Sequence, residues 1–294
     1  MWQYSPTHCI VTQYASIAMQ LLMYYCNWKK IPWVFWSESA GVEHTELPII
    51  KNEKLRHLLR HIALIPIRKG PKQIWGIGER AVKQYSQLTQ VTCIKNVPYF
   101  FNQTILQKIK RNYKNKHVKF LFAGKFVYRK GLDIFLKAIE ILIEGGKEFE
   151  VIIVGDGPDR DLINLEKDYM TKYLKYKGFK EISEMPEIFA TCDVLVCPSR
   201  YDGWGMIVAE AMAAGMPIIS TIQTGAAIDI LQNGVNGILL SEPKVDSLVE
   251  AMEVFIKNPE IIVNMGINAR KTASRYSCKI GAKLILYNLD IISR

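Results

Sequence analysis

DVLVCPSRYDGWGMIVAEAMAAGMPIIS, Asp193 to Ser220, decides how this chain folds. DVLVCPS is a short apolar run closed by Pro and Ser, the pattern of a buried strand. Gly203 and Gly205 supply a tight turn, an apolar helical segment starts near Met206, and PIIS reads as a second strand. Strand, helix and strand joined with almost no linker make a βαβ unit, so the two strands run parallel. The stretch also carries two carboxylates. Asp202 lies in the turn, and Glu210 lies one helical turn past Met206, inside the nearly all-apolar AEAMAAG. An acid embedded among apolar residues costs free energy unless something pairs with it. A helix start offers unsatisfied amides and partial positive charge, and glycines let an anion approach them, which makes a ready phosphate site. In the plainer reading, Asp202 only caps the helix and Glu210 is a surface residue.

The same alternation continues on both sides. VKFLFAG (118–124) and FEVIIVG (149–155) read as buried strands. Between them DIFLKAIEILIE (133–144) is an amphipathic helix with Ile134, Leu136, Ile139, Ile141 and Leu142 on one side, ended by Gly145 and Gly146. Helices near Met185 and Ile228 and the strand GILL complete the series. Strands alternating with helices predict a doubly wound parallel sheet, which binds ligands where its strands end and helices begin. Upstream, the pattern predicts a helix over 13–28, a strand over 32–36, helices over 53–62 and 78–88, and a strand within VTCIKNVPYF.

Two further loops fall at the predicted strand ends. GKFVYRKG, Gly124 to Gly131, gathers Lys125, Arg129 and Lys130, cations that can neutralise a diphosphate; otherwise it is a solvated basic loop. VGDGPDRDLI (154–163) is half a dinucleotide fingerprint without its third glycine, and reads better as a tight turn through Gly155 and Gly157.

The net charge of +10 on 294 residues points to an anionic partner: a phosphate-bearing substrate, a membrane leaflet or nucleic acid. Basic residues concentrate in QKIKRNYKNKHVKF (107–120), taken as the hinge between two units, but no nucleic-acid motif accompanies them, so no nucleic-acid partner is expected. The six cysteines include no CxxC pair, so a reduced, intracellular chain without structural zinc is expected. His57 and His61 share a helix face with no further ligand nearby and read as solvated. The run from Ile10 to Cys26 has no charged leader and is interrupted by Gln13 and Gln20, so it reads as a buried helix, not a signal or an anchor. The expected location is cytoplasmic, with peripheral contact at an anionic membrane face as a secondary option.

In order, GKFVYRKGLDIFLKAIEIL, VGDGPDRDLI, YKGF, EIFATCDVLVCPSRYDGWGMIVAEAMAAGMPIIS and GAAIDILQNGVNGILL resemble the C-terminal half of family 4 glycosyltransferases of the GT-B architecture, over about residues 115–280. The resemblance implies an α/β chain of GT-B type. Residues 113–278 would form a Rossmann-like, doubly wound nucleotide-sugar-binding domain. A partial, acceptor-side Rossmann-like domain over 1–112 would precede it, and a helix over 279–294 would pack back on the first domain. IPWVFWSES and GERAVKQY look like the second half of that first domain, whose first half is expected before Met1. The implied activity is transfer of a sugar, with retention, from a nucleotide-diphosphate sugar to a glycan or lipid-linked acceptor, without metal or other cofactor. Matching positions assign Lys130 to the donor diphosphate, with Lys125 where the family usually has Arg. Asp202 stands where the family often has Glu, at the sugar. Glu210 would hold the ribose, and the backbone of Gly205, Met206 and Ile207 would meet phosphate and sugar. Gly124 opens the donor loop, and Gly178, Phe179 and Lys180 lie near the base. His8, Glu38 and His44 are polar candidates on the acceptor side without an assigned role. The competing readings are a non-catalytic nucleotide-sugar-binding remnant, another GT-B-like enzyme such as an epimerase or a phosphorylase, and a nicotinamide oxidoreductase.

Overall fold

The structure, a computed structural model, describes residues 7–39, 53–111, 117–163 and 168–293. His44, the side chain of His57 and the centre of the basic segment lie outside the described residues. The chain divides into two compact units, Met1–Phe100 with Cys278–Arg294, and Phe101–Ser277. Phe101–Arg111, the first part of the basic region included, therefore belongs to the second unit.

In the first unit, β1 (Cys9–Val11), α1 (Ile17–Lys29), β2 (Trp33–Ser37), α2 (Glu53–Ala63), α3 (Ile65–Lys69), β3 (Gln73–Gly76), α4 (Glu79–Leu88) and β4 (Ile94–Asn96) follow in order. The four strands pair in sequence order and all run parallel. Side chains alternate across the sheet. On one face Trp33, Phe35 and Ile74 pack with Met23 of α1 and Tyr85 of α4. On the other, Val34 and Trp75 pack with Val97 and with Leu284, Ile285 and Leu289 of the terminal helix (Cys278–Ser293).

The expected buried helix over Ile10–Cys26 requires correction. The β-branched Ile10 and Val11 pair with Val34 and Phe35, and Ser16 caps α1 by accepting from the Met19 amide at 3.2 Å. α1 then buries only Met23 and Cys26, leaving Ile17 and Trp28 in solvent.

In the second unit, α5 (Thr104–Gln107) precedes β5 (Lys119–Ala123), α6 (Leu132–Glu144), β6 (Glu150–Val154), α7 (Asp168–Tyr173), β7 (Leu174–Tyr176), α8 (Met185–Thr191) and β8 (Val194–Cys197). Then come α9 (Met206–Ala213), β9 (Ile218–Thr221), α10 (Gly225–Ile230), β10 (Gly237–Leu240), α11 (Val245–Lys257) and α12 (Ile261–Ala273). The all-parallel sheet has the order β10-β9-β8-β5-β6-β7. The central runs FLFA of β5, VIIV of β6 and VLVC of β8 are apolar throughout, as strands covered on both faces require. Phe122 of β5 stacks on Phe135 of α6 at 5.6 Å. On α6, Ile134, Leu136, Ile139 and Leu142 are buried as the spacing predicts, together with Phe135, but Ile141 is 42% exposed because it lies past the edge of the packed stripe.

Phe135→Ala should therefore lower stability by about 3–5 kcal/mol, through lost burial and a cavity. Ile141→Ala should change it by no more than about 0.5 kcal/mol. Urea titrations of the two variants check this, and equal losses would contradict the packing described.

Candidate donor-binding site

The strand order reverses between β8 and β5, which lie side by side at the centre of the second sheet. Helices leave such a pair toward opposite sides, so a crevice opens at the carboxyl ends of the two strands. The loops that follow β5 and β8 meet there. The Arg200 and Tyr201 amides donate to the Arg129 carbonyl at 2.8 and 3.2 Å. The Arg200 guanidinium donates to both oxygens of Asp133 at 2.7 Å and lies over the Tyr128 ring at 3.9 Å. Those Arg200 hydrogen bonds hold the Asp133 carboxyl below its usual range.

Inside this stitched frame, the Lys130 ammonium donates to the Asp202 carboxylate. The Arg129 guanidinium stands 3.9 Å from the other Asp202 oxygen. Asp202 is buried, and its backbone amide and carbonyl bond Gln223 O and Gly225 N at 3.1 Å each, tying the site to the end of β9. Its carboxylate is thus engaged by cations and does not cap α9. The cap is Gly205, at φ 87° with no capping side chain. A Cβ there would fall 2.7 Å from Thr224 Cγ2, so only glycine fits. Met206 and Ile207 open the helix half-buried, and no side chain of the cap residue satisfies its first-turn amides.

Lys125 is exposed at the mouth of the β5 loop. Gly124 donates to the Val154 carbonyl at 3.1 Å. A Cβ on Gly155 would lie 1.9 Å from Gly124 O, so this glycine serves close packing of two strand-end loops. That backbone role leaves the dinucleotide fingerprint, and the oxidoreductase reading with it, without support.

Glu210 lies one turn into α9, half-buried. It lines a cavity of about 650 Å³ whose walls include Phe101, Ile105, Ile182, Met185 and Phe189. Burial raises its carboxyl above the usual range, and desolvation is the sole cause of the shift. The site therefore holds one carboxylate neutralised by cations and a second, desolvated one at the edge of an apolar cavity. Such a carboxylate can accept two hydrogen bonds from a vicinal diol, and the apolar walls can receive a flat ring. Of the segment expected near the base, the Gly178 carbonyl accepts from the Gly155 amide at 2.9 Å, Phe179 is exposed, and the Lys180 ammonium pairs with Glu184 at 2.8 Å. The cavity wall begins one residue later, at Glu181. The aromatic and aliphatic walls from 101–106 carry no signal in the sequence, because no local pattern links that segment to α9.

On the first unit, Glu38 is a neighbour of the half-buried Tyr99, whose phenol is pushed up to about 12 by burial first and by the Glu38 carboxylate second. The Glu38 carbonyl accepts from the Tyr85 hydroxyl at 2.9 Å. His8 contacts Thr7 Oγ1 at 3.2 Å. Among the described residues no group of three or more His, Cys, Asp or Glu could hold a metal ion.

Residues 103–272 match the family described as glycosyl transferases group 1. An uncharacterized glycosyltransferase of Methanocaldococcus jannaschii is 30% identical over 174 residues, 58% of this chain and 48% of the relative. The chain thus spans about half the length of that curated relative. Sucrose-phosphate synthase from Thermosynechococcus elongatus superposes with a TM-score of 0.79 at 16% identity, covering 99% of this chain and 75% of that one. Anabaena HepE in complex with UDP superposes with a TM-score of 0.76 at 17% identity, covering 96% of this chain and 78% of that one. The family match takes in more than half of the 294 residues, and the chain belongs to the group 1 glycosyl transferases.

The raised carboxyl of Glu210 has a consequence for stability. As pH rises above 4.5, the unfolded chain gives up this proton before the folded chain does, so folding loses stability. Glu210→Gln should accordingly melt higher than the parent chain at neutral pH, with the difference closing as pH falls to 4.5. Thermal melts across pH measure this, and superimposable curves would mean that Glu210 is solvated.

Proposed function

We propose that this group 1 glycosyltransferase chain moves a sugar from a nucleoside-diphosphate-sugar donor to a glycan or lipid-linked acceptor, with retention of anomeric configuration. The observation that carries the reading is the desolvated Glu210 carboxylate at the edge of its apolar cavity, one helical turn from the open start of α9. The ribose diol donates two hydrogen bonds to Glu210 and supplies the partners that the folded chain leaves out. The base enters the cavity beyond it, against Ile182 and Met185 and close to Gly178–Lys180.

The diphosphate meets the first-turn amides of α9 at Met206 and Ile207. Lys130 is already positioned by Asp202, and an ammonium has three donors, so two remain for phosphate oxygens. As the bond between the anomeric carbon and the phosphate oxygen breaks, negative charge grows on the leaving diphosphate. Lys130, Lys125 and the helix start offset that charge. Lys125 does so as a point charge from an exposed position, where an Arg would offer a bidentate fork. Asp202 sits where the sugar would lie and stabilises the positive charge that develops on it. In this reading the cations of the chain do the work that a metal does elsewhere. HepE, which shares the fold, was solved in complex with UDP, the class of ligand proposed here.

Lys130→Ala should lower kcat/KM on the order of 100-fold or more, the scale for losing one preorganised donor to developing charge. Release of nucleoside diphosphate from UDP-, GDP- and ADP-sugars in the presence of glycan acceptors measures it. Turnover unchanged in a variant that still melts cooperatively would sink the assignment. NMR of the first-formed product reads the anomeric outcome, and inversion would overturn the stereochemical part alone.

A further inference from the structure

We propose that the first unit docks on an anionic lipid surface through α1, α2 and α3. A helix resting on a sheet ordinarily shows one apolar face, and α1 shows two. Met23 and Cys26 pack onto the sheet. On the opposite side Ile17, Leu21, Tyr24 and Trp28, spaced i, i+4, i+7 and i+11, are 80%, 65%, 49% and 72% exposed. α2 repeats the pattern with Leu55, Leu58, Leu59 and Ile62, each at least 44% exposed, and Ile65 at the start of α3 is 47% exposed.

These elements touch. The Gln20 side-chain amide donates to the Ala63 carbonyl at 2.8 Å, and Arg68 of α3 reaches the His61 ring of α2 at 2.9 Å. Scattered exposed apolar residues are ordinary. A set of this size on three touching elements marks an interaction surface.

Charge selects the occupant. Ile17–Lys30 and Glu53–Lys69 contain seven Lys or Arg against a single acid, Glu53 at the start of α2. Lys29, Lys30, Lys54 and Lys69 are exposed, and the Lys29 ammonium lies 4.1 Å over the Trp28 ring. A second copy of this chain would set cations against cations, which opposes association. A leaflet carrying anionic headgroups meets both halves of the surface. Aliphatic and aromatic side chains enter the boundary between headgroups and acyl chains, while lysines stretch to the phosphates. The chain would lie on the leaflet through these elements; among the described residues no helix is long and apolar enough to cross a membrane. The proposal rests on the first unit alone and is independent of the donor-site reading.

The test is flotation of the whole chain with vesicles of phosphatidylcholine alone, or with a third of phosphatidylglycerol, at low and high salt. Binding to the anionic vesicles is expected, weakened by salt and at least about tenfold weaker without the anionic lipid. A Lys29→Glu/Lys30→Glu variant should bind about tenfold or more weakly. An Ile17→Ser/Trp28→Ser variant should lose binding while melting like the parent, since both side chains are exposed. Acyl chains brominated near the headgroup should quench Trp28, with Trp28→Phe as the control. Equal flotation with both vesicle types, no flotation, or unaltered binding by either variant would overturn the proposal. So would a parent dimer that the Ser variant turns monomeric without any vesicle binding, since the surface would then serve self-association.

Discussion

Lys130 and Asp202 meet across 72 residues of sequence, and the arrangement of the strand-end loops around the site turns on that contact. They belong to the loops that follow β5 and β8, the two strands at which the parallel sheet reverses its winding. Their side chains are 17% and 11% exposed, so removing Asp202 would leave the Lys130 ammonium without its counter-charge in a low-dielectric site, while removing Lys130 would leave Asp202 only Arg129, 3.9 Å away. From Asp202 the order spreads. Its backbone holds the Gln223–Gly225 turn, its carboxylate sits 3.2 Å from the place a Cβ on Gly205 would occupy, and Gly205 sets the start of α9. The direction of α9 in turn fixes where Glu210 stands.

The two carboxylates are therefore held under opposite conditions. Asp202 is compensated within the chain, whereas Glu210 is desolvated without a cation acting on it. Stability alone would favour replacing the second with a neutral residue. Sequences that break a local rule in this way do so at functional sites. A partner that brings two hydroxyl donors to the carboxylate removes the penalty on binding, which converts a cost in the free chain into selectivity for the ligand. The apolar walls around Glu210 sharpen this, because water competes poorly for hydrogen bonds there.

Much of the second unit is legible in the sequence because local pattern and final packing agree. FLFA, VIIV and VLVC are apolar throughout, as strands covered on both faces must be, and the glycines between strand and helix fall at the sheet edge. The first unit is less legible. CIV and QIWG are too short to show a period, and Gln73 and Gly76 dilute the second, so β1 and β3 escape notice. α1 shows a different limit: periodicity reveals an apolar stripe but not whether the stripe meets the core, and here the longer one faces solvent. At the site, Lys130, Asp202 and Glu210 stand out from their chemistry and their places beside strand ends. Phe101 and Ile105 do not, since they reach the Glu210 cavity only because tertiary bonds place their segment there. The Gln103 side-chain amide donates to Ala273 O at 2.6 Å, and the Arg111 guanidinium donates to the Ala214 carbonyl at 2.8 Å.

The central claim is that the reversal point between β5 and β8 receives a nucleoside diphosphate whose ribose is held by Glu210. Calorimetric titration of the chain with UDP, GDP and ADP, beside a Glu210→Ala variant, tests it most directly. The account predicts saturable binding that favours one base and weakens at least about tenfold in the variant, the scale of two hydrogen bonds to a charged acceptor. Equal affinity in the variant, or no binding of any of the three by a folded chain, would contradict it.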